Sequence, residues 1–361
     1  MKVLQISSDR SERGILFPGT SAFERQEAYA SAFGNLDIVG FSLKSDGAKF
    51  VDVGQLRIHP TNSASKLLWG LDALRIAKTL PRPDIVSVQD PFETGLVGWR
   101  IARRFGVPLH VQVHTDFLSP EYARLSLLNR FRVYVAGFVL RRAARIRVVS
   151  RRIKDSLEAR SSKLEASVTV LPIFADTSRS SVSRSDLSVR FSRFKTKLLV
   201  VSRLEPEKNV ALALGAFAEA AAADACLIIV GSGSQKNSLQ HFAKRLNVGS
   251  RVFFEGARDS ALYYALADLV LVPSKYEGYG LVIVEALAAG KPVLSTEVGV
   301  AREAGAIVAP PEKFVDALAA WFKGGPRAGE LKNYPYQSFE EYVRAYCDDV
   351  SATDQASRAV S

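Results

Sequence analysis

The chain has 361 residues, 47% of them hydrophobic and 24% charged, with a formal net charge of +11. That length exceeds one ordinary α/β core and implies two domains. The composition is that of a globular protein and excludes a disordered or fibrous chain. Two distant cysteines, Cys226 and Cys347, give neither a disulfide framework nor a CxxC metal site, which fits a reducing cytoplasm. The apolar run 133–140 is far shorter than the roughly 20 residues of a membrane span. Met1-Lys2-Val3-Leu4-Gln5-Ile6 reads as a first strand and not as a signal peptide, so a cytoplasmic protein is expected.

Short apolar runs of strand length alternate with helical patterns almost throughout. In the first half, strands are expected at 3–6, 38–41, 85–88, 108–113, 146–149 and 168–171, with a short hairpin around 50–58. Helices fall at 21–34, at 66–80 (stopped by Pro81 and Pro83), from the loop 89–95 to 104, over a long basic region after 116, and near 151–160. Pro172 closes this half. The segment 175–194 is rich in Ser and Arg, with few apolar residues, and reads as a linker and lead-in. The alternation then restarts. Strands are expected at 198–202, 225–230, 252–254, 269–272, 293–296 and near 307, and helices at 210–222, after the turn 231–233 to 246, at 261–267, at 281–289 and at 312–322. A Gly/Pro-rich connection, 324–337, leads to a last helix, 339–350, and a frayed polar tail, 351–361. This alternation predicts parallel sheets with helices on both faces, in two domains spanning 1–180 and 190–337.

The densest chemistry lies in 274–292. Glu277 and Glu285 stand eight residues apart. Glu277 opens the turn Gly278-Tyr279-Gly280, and an apolar run from Leu281 carries Glu285 into a helix ended by Gly290 and Pro292. Backbone N–H groups and the dipole at such a helix start favour an anion such as a diphosphate, and glycines let it approach the main chain. Glu285, about a turn and a half in, is placed to accept hydrogen bonds from hydroxyls at the ligand's other end. The plainer alternative is a helix start that holds Gly and Glu for local reasons.

Three further strand ends point the same way. Ser202-Arg203-Leu204-Glu205-Pro206-Glu207-Lys208-Asn209 follows a strand, where ligands of open α/β sheets collect. Arg203 as a planar fork and Lys208 as a point charge suit phosphate oxygens, or are merely solvated. Val230-Gly231-Ser232-Gly233 begins like a dinucleotide fingerprint, but Lys236 stands where the third small residue belongs. It is either a tight turn opening a ligand pocket or a plain strand-to-helix turn. Phe253-Phe254-Glu255-Gly256-Ala257-Arg258 is a base-reading turn or a surface loop. In the first half, His114 of His114-Thr115-Asp116 is placed to touch a sugar hydroxyl or a phosphate, or is packed. Asp90 of Gln89-Asp90-Pro91 binds acceptor hydroxyls, or caps the helix that follows.

In order and spacing these segments resemble the retaining glycosyltransferases of family 4, which have the GT-B fold. The signature is Glu-x7-Glu set in Ser-x-x-Glu-Gly-aromatic-Gly, then Glu-Ala, then Gly-x-Pro, and every element is present in 274–292. Ser202-Arg203 with Lys208 matches the family's phosphate-binding Arg and Lys. Val230-Gly231-Ser232-Gly233, Phe254-Glu255-Gly256, Ala267-Asp268, Pro273-Ser274 and Thr296-Glu297-Val298-Gly299 with Glu303 fall in the family's order. The resemblance is close over 197–310 and looser over 1–175, where His114 fits the family's strand-end His. It departs after the first strand. Where such enzymes often carry a Gly-Gly loop, this chain has Ser7-Ser8-Asp9-Arg10-Ser11-Glu12-Arg13-Gly14, with Gly19 further on.

The resemblance implies two Rossmann-like, doubly wound domains facing a cleft, with the helix 338–352 packed back on the first. It implies a UDP- or GDP-linked hexose donor on the second domain and a glycan or lipid-linked acceptor on the first, as in polysaccharide biosynthesis. Transfer would retain the anomeric configuration and need no metal or other cofactor. Arg203, Lys208, Glu277 and His114 would be the catalytic set. Arg203 and Lys208, with the helix start at Gly280, would stabilise the departing diphosphate. Glu277 would hold sugar hydroxyls and Glu285 the ribose. Gly231, Gly233, Arg258, Gly278, Tyr279, Gly280 and Leu281 would complete the donor site, and Asp90 and Asp116 would serve the acceptor. A sugar-nucleotide epimerase of the same architecture is the alternative. A periplasmic-type binding protein is disfavoured by the missing export signal.

The charge is uneven. Residues 121–160 hold eleven Lys/Arg against three Asp/Glu. This stretch either lies on an anionic membrane, at the inner face of the plasma membrane where a lipid-linked acceptor sits, or is a solvated helix face. It lacks the aromatic interleaving of a nucleic-acid surface, so no nucleic-acid partner is expected.

Overall fold

The structure, a computed structural model, describes residues 1–9, 14–160, 168–176 and 185–358. Half of the segment 7–14 that departs from the family pattern (10–13), and 177–184 of the expected linker, lie outside the described residues. The chain divides into two units, Met1–Pro172 with Tyr336–Ser361, and Ile173–Pro335.

The first unit begins β1 (Lys2–Ser7), α1 (Ser21–Phe33), β2 (Asn35–Gly40), β3 (Val51–Val53), β4 (Leu56–Pro60), α2 (Trp69–Thr79) and β5 (Ile85–Val88). It continues α3 (Glu93–Phe105), β6 (Leu109–Val113), α4 (Pro120–Arg124), α5 (Leu127–Leu140), β7 (Arg145–Val148), α6 (Arg151–Glu158) and β8 (Val168–Val170). Its sheet has the order β3-β4-β2-β1-β5-β6-β7-β8, parallel except for the β3–β4 hairpin. β5 and β6 are buried along their whole length, as parallel strands covered on both faces must be. β1 pairs with β2 on one side and β5 on the other, so the winding reverses there. Helices α2 and α5 both pack on α3 and form one row.

The second unit begins α7 (Ser185–Arg190), β9 (Thr196–Val201), α8 (Val210–Ala220), β10 (Ala225–Val230), α9 (Lys236–Arg245) and β11 (Val252–Gly256). It continues α10 (Ser260–Leu266), β12 (Leu269–Val272), α11 (Leu281–Ala288), β13 (Val293–Ser295), α12 (Ala301–Ala304), β14 (Ile307–Val308) and α13 (Phe314–Gly324). Its all-parallel sheet has the order β11-β10-β9-β12-β13-β14. The reversal lies between β9 and β12. Helix α8 carries buried Leu214 and Phe217 against Phe314, Leu318 and Trp321 of α13, over Leu198, Val200, Leu227 and Ile229 of the sheet. Truncating one of these large side chains costs about 3–5 kcal/mol.

Two expectations need correction. The stretch 185–194 is no slack lead-in. Phe191 and Phe194 are buried edge-on against Phe253, and Arg190 pairs with Glu255 at 2.6 Å. The last helix, α14 (Phe339–Arg358), runs eight residues past the expected end at 350. Val350 and Thr353 are fully buried, so this part of the tail is held by packing and does not fray. α14 lies on α1, β5, β6 and β7. Among the described residues, no helix is long and apolar enough to cross a membrane.

Candidate active site

In an open α/β sheet, ligands bind at the carboxyl ends of the strands where the winding reverses. In the second unit that point is the ends of β9 and β12. β9 delivers Ser202 and Arg203, and β12 delivers Ser274 and Glu277. The two loops are tied by the Lys275 N–H donating to the Glu207 carbonyl at 2.8 Å. Across them, Lys208 Nζ donates to Glu277 Oε1 at 2.6 Å, and Ser274 Oγ donates to the same oxygen at 2.8 Å. Both charged side chains are half-buried, where an ion pair is screened less than at the surface. Both of these bonds fall on Glu277 Oε1, which leaves Oε2 to face a ligand. Arg203 lies nearer solvent, its guanidinium 2.8 Å from Glu207 Oε1.

The neighbouring strand β10 ends in Gly231 and Gly233. At Gly231 φ is +141°, and a Cβ there would stand 1.8 Å from the Ser202 carbonyl oxygen, so only glycine lets the two loops approach. Ser234 closes this turn on the β9 loop. Its N–H and its hydroxyl donate to Glu205 at 2.9 and 2.6 Å, and they hold that carboxyl below its usual range. Gly280 caps α11 in the left-handed region, at φ +87°. The chain there turns sharply enough to present the first N–H groups of the helix, beginning at the exposed Leu281. Tyr279 is buried beneath the turn. Within α11, Glu285 Oε2 accepts from Tyr264 Oη at 2.8 Å. Burial, and then the Glu285 carboxylate, raise the Tyr264 phenol well above its ordinary value. Arg258 stands exposed on the loop after β11.

In the first unit the reversal lies at the ends of β1 and β5. Ser7 Oγ donates to Gln89 Oε1 at 2.5 Å, and Ser8 Oγ donates to Asp90 Oδ2 at 3.2 Å. Asp90 Oδ1 accepts the Phe92 N–H at 2.8 Å. Burial raises the Asp90 carboxyl, with the Phe92 N–H and Thr94 hydroxyl acting against it. Asp116 is buried with Arg152 at 3.1 Å, and burial outweighs that guanidinium to raise its pKa.

His114 follows β6. Burial, and then the Arg147 and Arg25 guanidiniums, lower its pKa from 6.5 to about 3, so the ring is neutral at neutral pH. Its tautomer follows from its neighbours. Arg147 Nη1 lies 3.0 Å from Gln112 Oε1, and a guanidinium has only donors. The Gln112 atom facing Arg147 is therefore the carbonyl oxygen. His114 Nε2 lies 3.1 Å from that same oxygen and must carry the proton, leaving the lone pair on Nδ1. Gln112 in turn donates to Ser87 and Tyr346.

The second unit thus gathers Arg203, Lys208, Gly231, Gly233, Glu277, Gly278, Tyr279, Gly280, Leu281 and Glu285 along the ends of β9, β10 and β12. His114, Asp90 and Asp116 sit on strand-end loops of the first. Sequence reasoning missed Tyr264, Ser274 as a ligand of Glu277, and Arg147. The signal for Arg147 was present. Arg145-Ile146-Arg147-Val148 and Leu109-His110-Val111-Gln112-Val113 alternate polar and apolar residues in strands that are buried on both faces. Their polar side chains meet Tyr342, Tyr346 and Asp349 of α14. Arg145, Arg147 and Arg152 are consequently directed to interior partners, and the basic stretch 121–160 is not one continuous charged face. Among the described residues, no three His, Cys, Asp or Glu side chains are grouped to hold a metal ion.

Comparison with known proteins follows this division. Residues 189–338 match the family described as Glycosyl transferases group 1, and residues 24–174 match the Glycosyl transferase 4-like domain. The chain is 31% identical over 238 residues to the alpha-monoglucosyldiacylglycerol synthase of Streptococcus pneumoniae, covering 62% of this chain and 54% of that protein. It is 30% identical over 220 residues to the 2-deoxystreptamine glucosyltransferase of Streptomyces kanamyceticus, covering 56% of each. The chain spans about half the length of these curated relatives. In fold it is similar to sucrose-phosphate synthase from Thermosynechococcus elongatus, with a TM-score of 0.73 at 19% identity over 100% of this chain and 99% of that one. It is likewise similar to Anabaena HepE in complex with UDP, with a TM-score of 0.69 at 19% identity over 100% and 99% of the two chains. With both units matched in sequence and the chain matched in fold, this protein belongs to the group 1 glycosyl transferases of GT-B fold.

Proposed function

We propose that this chain is a retaining glycosyltransferase that moves a hexosyl group from a UDP- or GDP-linked donor to a hydroxyl of a glycan or lipid-linked acceptor, without a metal ion. The observation that carries this is the Lys208–Glu277–Ser274 cluster at the reversal point of the second sheet, beside two glycine turns. Arg203, Lys208 and the first N–H groups of α11 stabilise the diphosphate as it leaves. Glu277 Oε2 accepts from sugar hydroxyls, and Glu285, oriented by Tyr264, accepts from the ribose. The bond between the anomeric carbon and the diphosphate oxygen breaks, its electron pair leaving with the diphosphate, as the acceptor oxygen bonds to that carbon on the same face. The acceptor proton passes to the departing diphosphate, so no protein base is needed, and direct same-face attack needs no protein nucleophile. His114, neutral and with its lone pair on Nδ1, accepts a hydrogen bond from a hydroxyl. Asp90 and Asp116 serve the acceptor.

The family membership and the names of two relatives support the reading, since both names carry a glucosyl group and one names a diacylglycerol product. Glucose is therefore the first sugar to try, and a diacylglycerol the first acceptor. The test is transfer from UDP- and GDP-glucose in the presence of a chelator, with the product read by NMR. A glycoside that keeps the donor's anomeric configuration is expected. An inverted product, a strict metal requirement, or an epimer formed from donor alone contradicts it.

A further inference from the structure

We infer that the outer face of α5, together with the start of α2, is a docking surface for an anionic lipid bilayer, with apolar side chains that enter the bilayer. Apolar exposure, and not charge alone, marks this face. Helix α5 buries Val135, Ala136, Val139 and Leu140 against its own unit. Its opposite face is apolar as well. Leu127, Phe131 and Tyr134, spaced i, i+4 and i+7 on one stripe, are 78%, 61% and 73% exposed, and Leu125 and Leu128 are exposed beside them. A surface helix that folds for water alone has a polar outer face. A second cluster stands at the start of α2, where Leu67 is 92% exposed and Leu68 and Leu71 are exposed with it.

The topology brings the two clusters to one rim. α2 leaves β4 and enters β5, and α5 lies between β6 and β7, all parallel strands of one sheet. Both helices therefore start at the carboxyl end of the sheet, and both pack on α3. Ser8, Asp90 and His114 lie at that same end.

The charge around the apolar stripe selects the occupant. No Asp or Glu occurs from Tyr122 to Lys154. Arg130 and Arg141 are exposed on the stripe side of α5, and Lys66 is exposed beside Leu67. The nearest acids on the α4 and α3 side, Glu121 and Glu93, are each paired with an arginine. Apolar side chains ringed by cations and cleared of free acids suit anionic headgroups over acyl chains, with the long basic side chains reaching the phosphates.

The test uses the full chain with no nucleotide or acceptor present, so its outcome is independent of the glycosyl-transfer reading. Vesicles of phosphatidylcholine, with and without phosphatidylglycerol, are sedimented with the protein at low and high salt. Binding is expected only to the anionic vesicles and is weakened by salt. The Leu127→Ser/Phe131→Ser double variant, at exposed positions, should keep its circular dichroism and Tm and lose about tenfold or more in vesicle affinity. A Phe131→Trp variant should show blue-shifted emission on anionic vesicles and quenching by brominated acyl chains. The inference is overturned if the protein stays unbound at low salt, or if the double variant binds as before. It is also overturned if Trp at 131 stays water-exposed while the protein is bound, or if the double substitution instead dissociates a dimer in solution, which would give this face to a second copy.

Discussion

Lys208 Nζ lies 2.6 Å from Glu277 Oε1, across 69 residues of sequence, and joins the loop after β9 to the loop after β12. The contact places a cation, a carboxylate and a glycine turn at the one point of the second sheet where the winding reverses. On the proposed reading this charge stabilises a leaving diphosphate, and Glu277 holds it in register.

Lys208→Met should therefore lower kcat by about 10²-fold or more, by removing charge that stabilises the leaving group. It should also cost about 1–3 kcal/mol of stability, because the half-buried Glu277 carboxylate loses its counter-charge. Lys208→Arg should recover most of the stability. Steady-state kinetics and urea unfolding on both variants check this. Equal kcat for Lys208→Met and the parent chain contradicts it.

Gly231→Ala should destabilise the second unit by about 2–4 kcal/mol, since its Cβ meets the Ser202 carbonyl and its φ disfavours any side chain. Gly215→Ala in α8 is the control. A Cβ there meets nothing within 4 Å, and the change should stabilise by about 0.5–1 kcal/mol. Thermal unfolding of the two variants should move in opposite directions.

His114 sets a pH signature. Its folded-state pKa is depressed from 6.5 to about 3, so between those values the unfolded chain binds a proton that the folded chain refuses. Stability from this group is present above pH 6.5 and is lost as pH falls towards 3, at up to about 1.4 kcal/mol per pH unit. Asp90 and Asp116, whose carboxyls are raised, act with the opposite sign, so the comparison is made against a single variant. His114→Gln keeps an N–H for Gln112 and should flatten the fall of stability with acid. An unchanged slope would mean that the ring is not held neutral.

Tyr264→Phe removes the hydroxyl that orients Glu285. It should raise the KM for the nucleotide-sugar donor several-fold and leave kcat nearly unchanged, because the proposed contact of Glu285 is with the ribose and not with the reacting bond. A fall in kcat with constant KM would move Glu285 to the chemistry.

Much of the second unit was legible in the sequence, because its strands are continuous apolar runs and its site residues fall at their ends. The helix carrying Glu285 was placed by Gly280 before it and by Gly290 and Pro292 after it. Contacts between segments distant in sequence were not legible. Tyr264 reaches Glu285 across 21 residues, and nothing local in Ser260–Leu266 marks it. Arg147 was counted with the basic stretch, although its place in a strand buried on both faces gave the sign of a buried network. The length of α14 was misread because Ser351, Ala352 and Thr353 are small and carry no large apolar side chain, whereas in the fold Thr353 is fully buried.

The central claim is that Arg203 and Lys208 hold the diphosphate of a nucleotide sugar on the second unit. Titration calorimetry of UDP, GDP and ADP against the full chain, and against Arg203→Ala and Lys208→Ala, tests it most directly. At least one of UDP and GDP should bind the parent chain, and each variant should weaken that binding by about tenfold or more. No binding of any of the three, or equal binding by both variants, would contradict the claim.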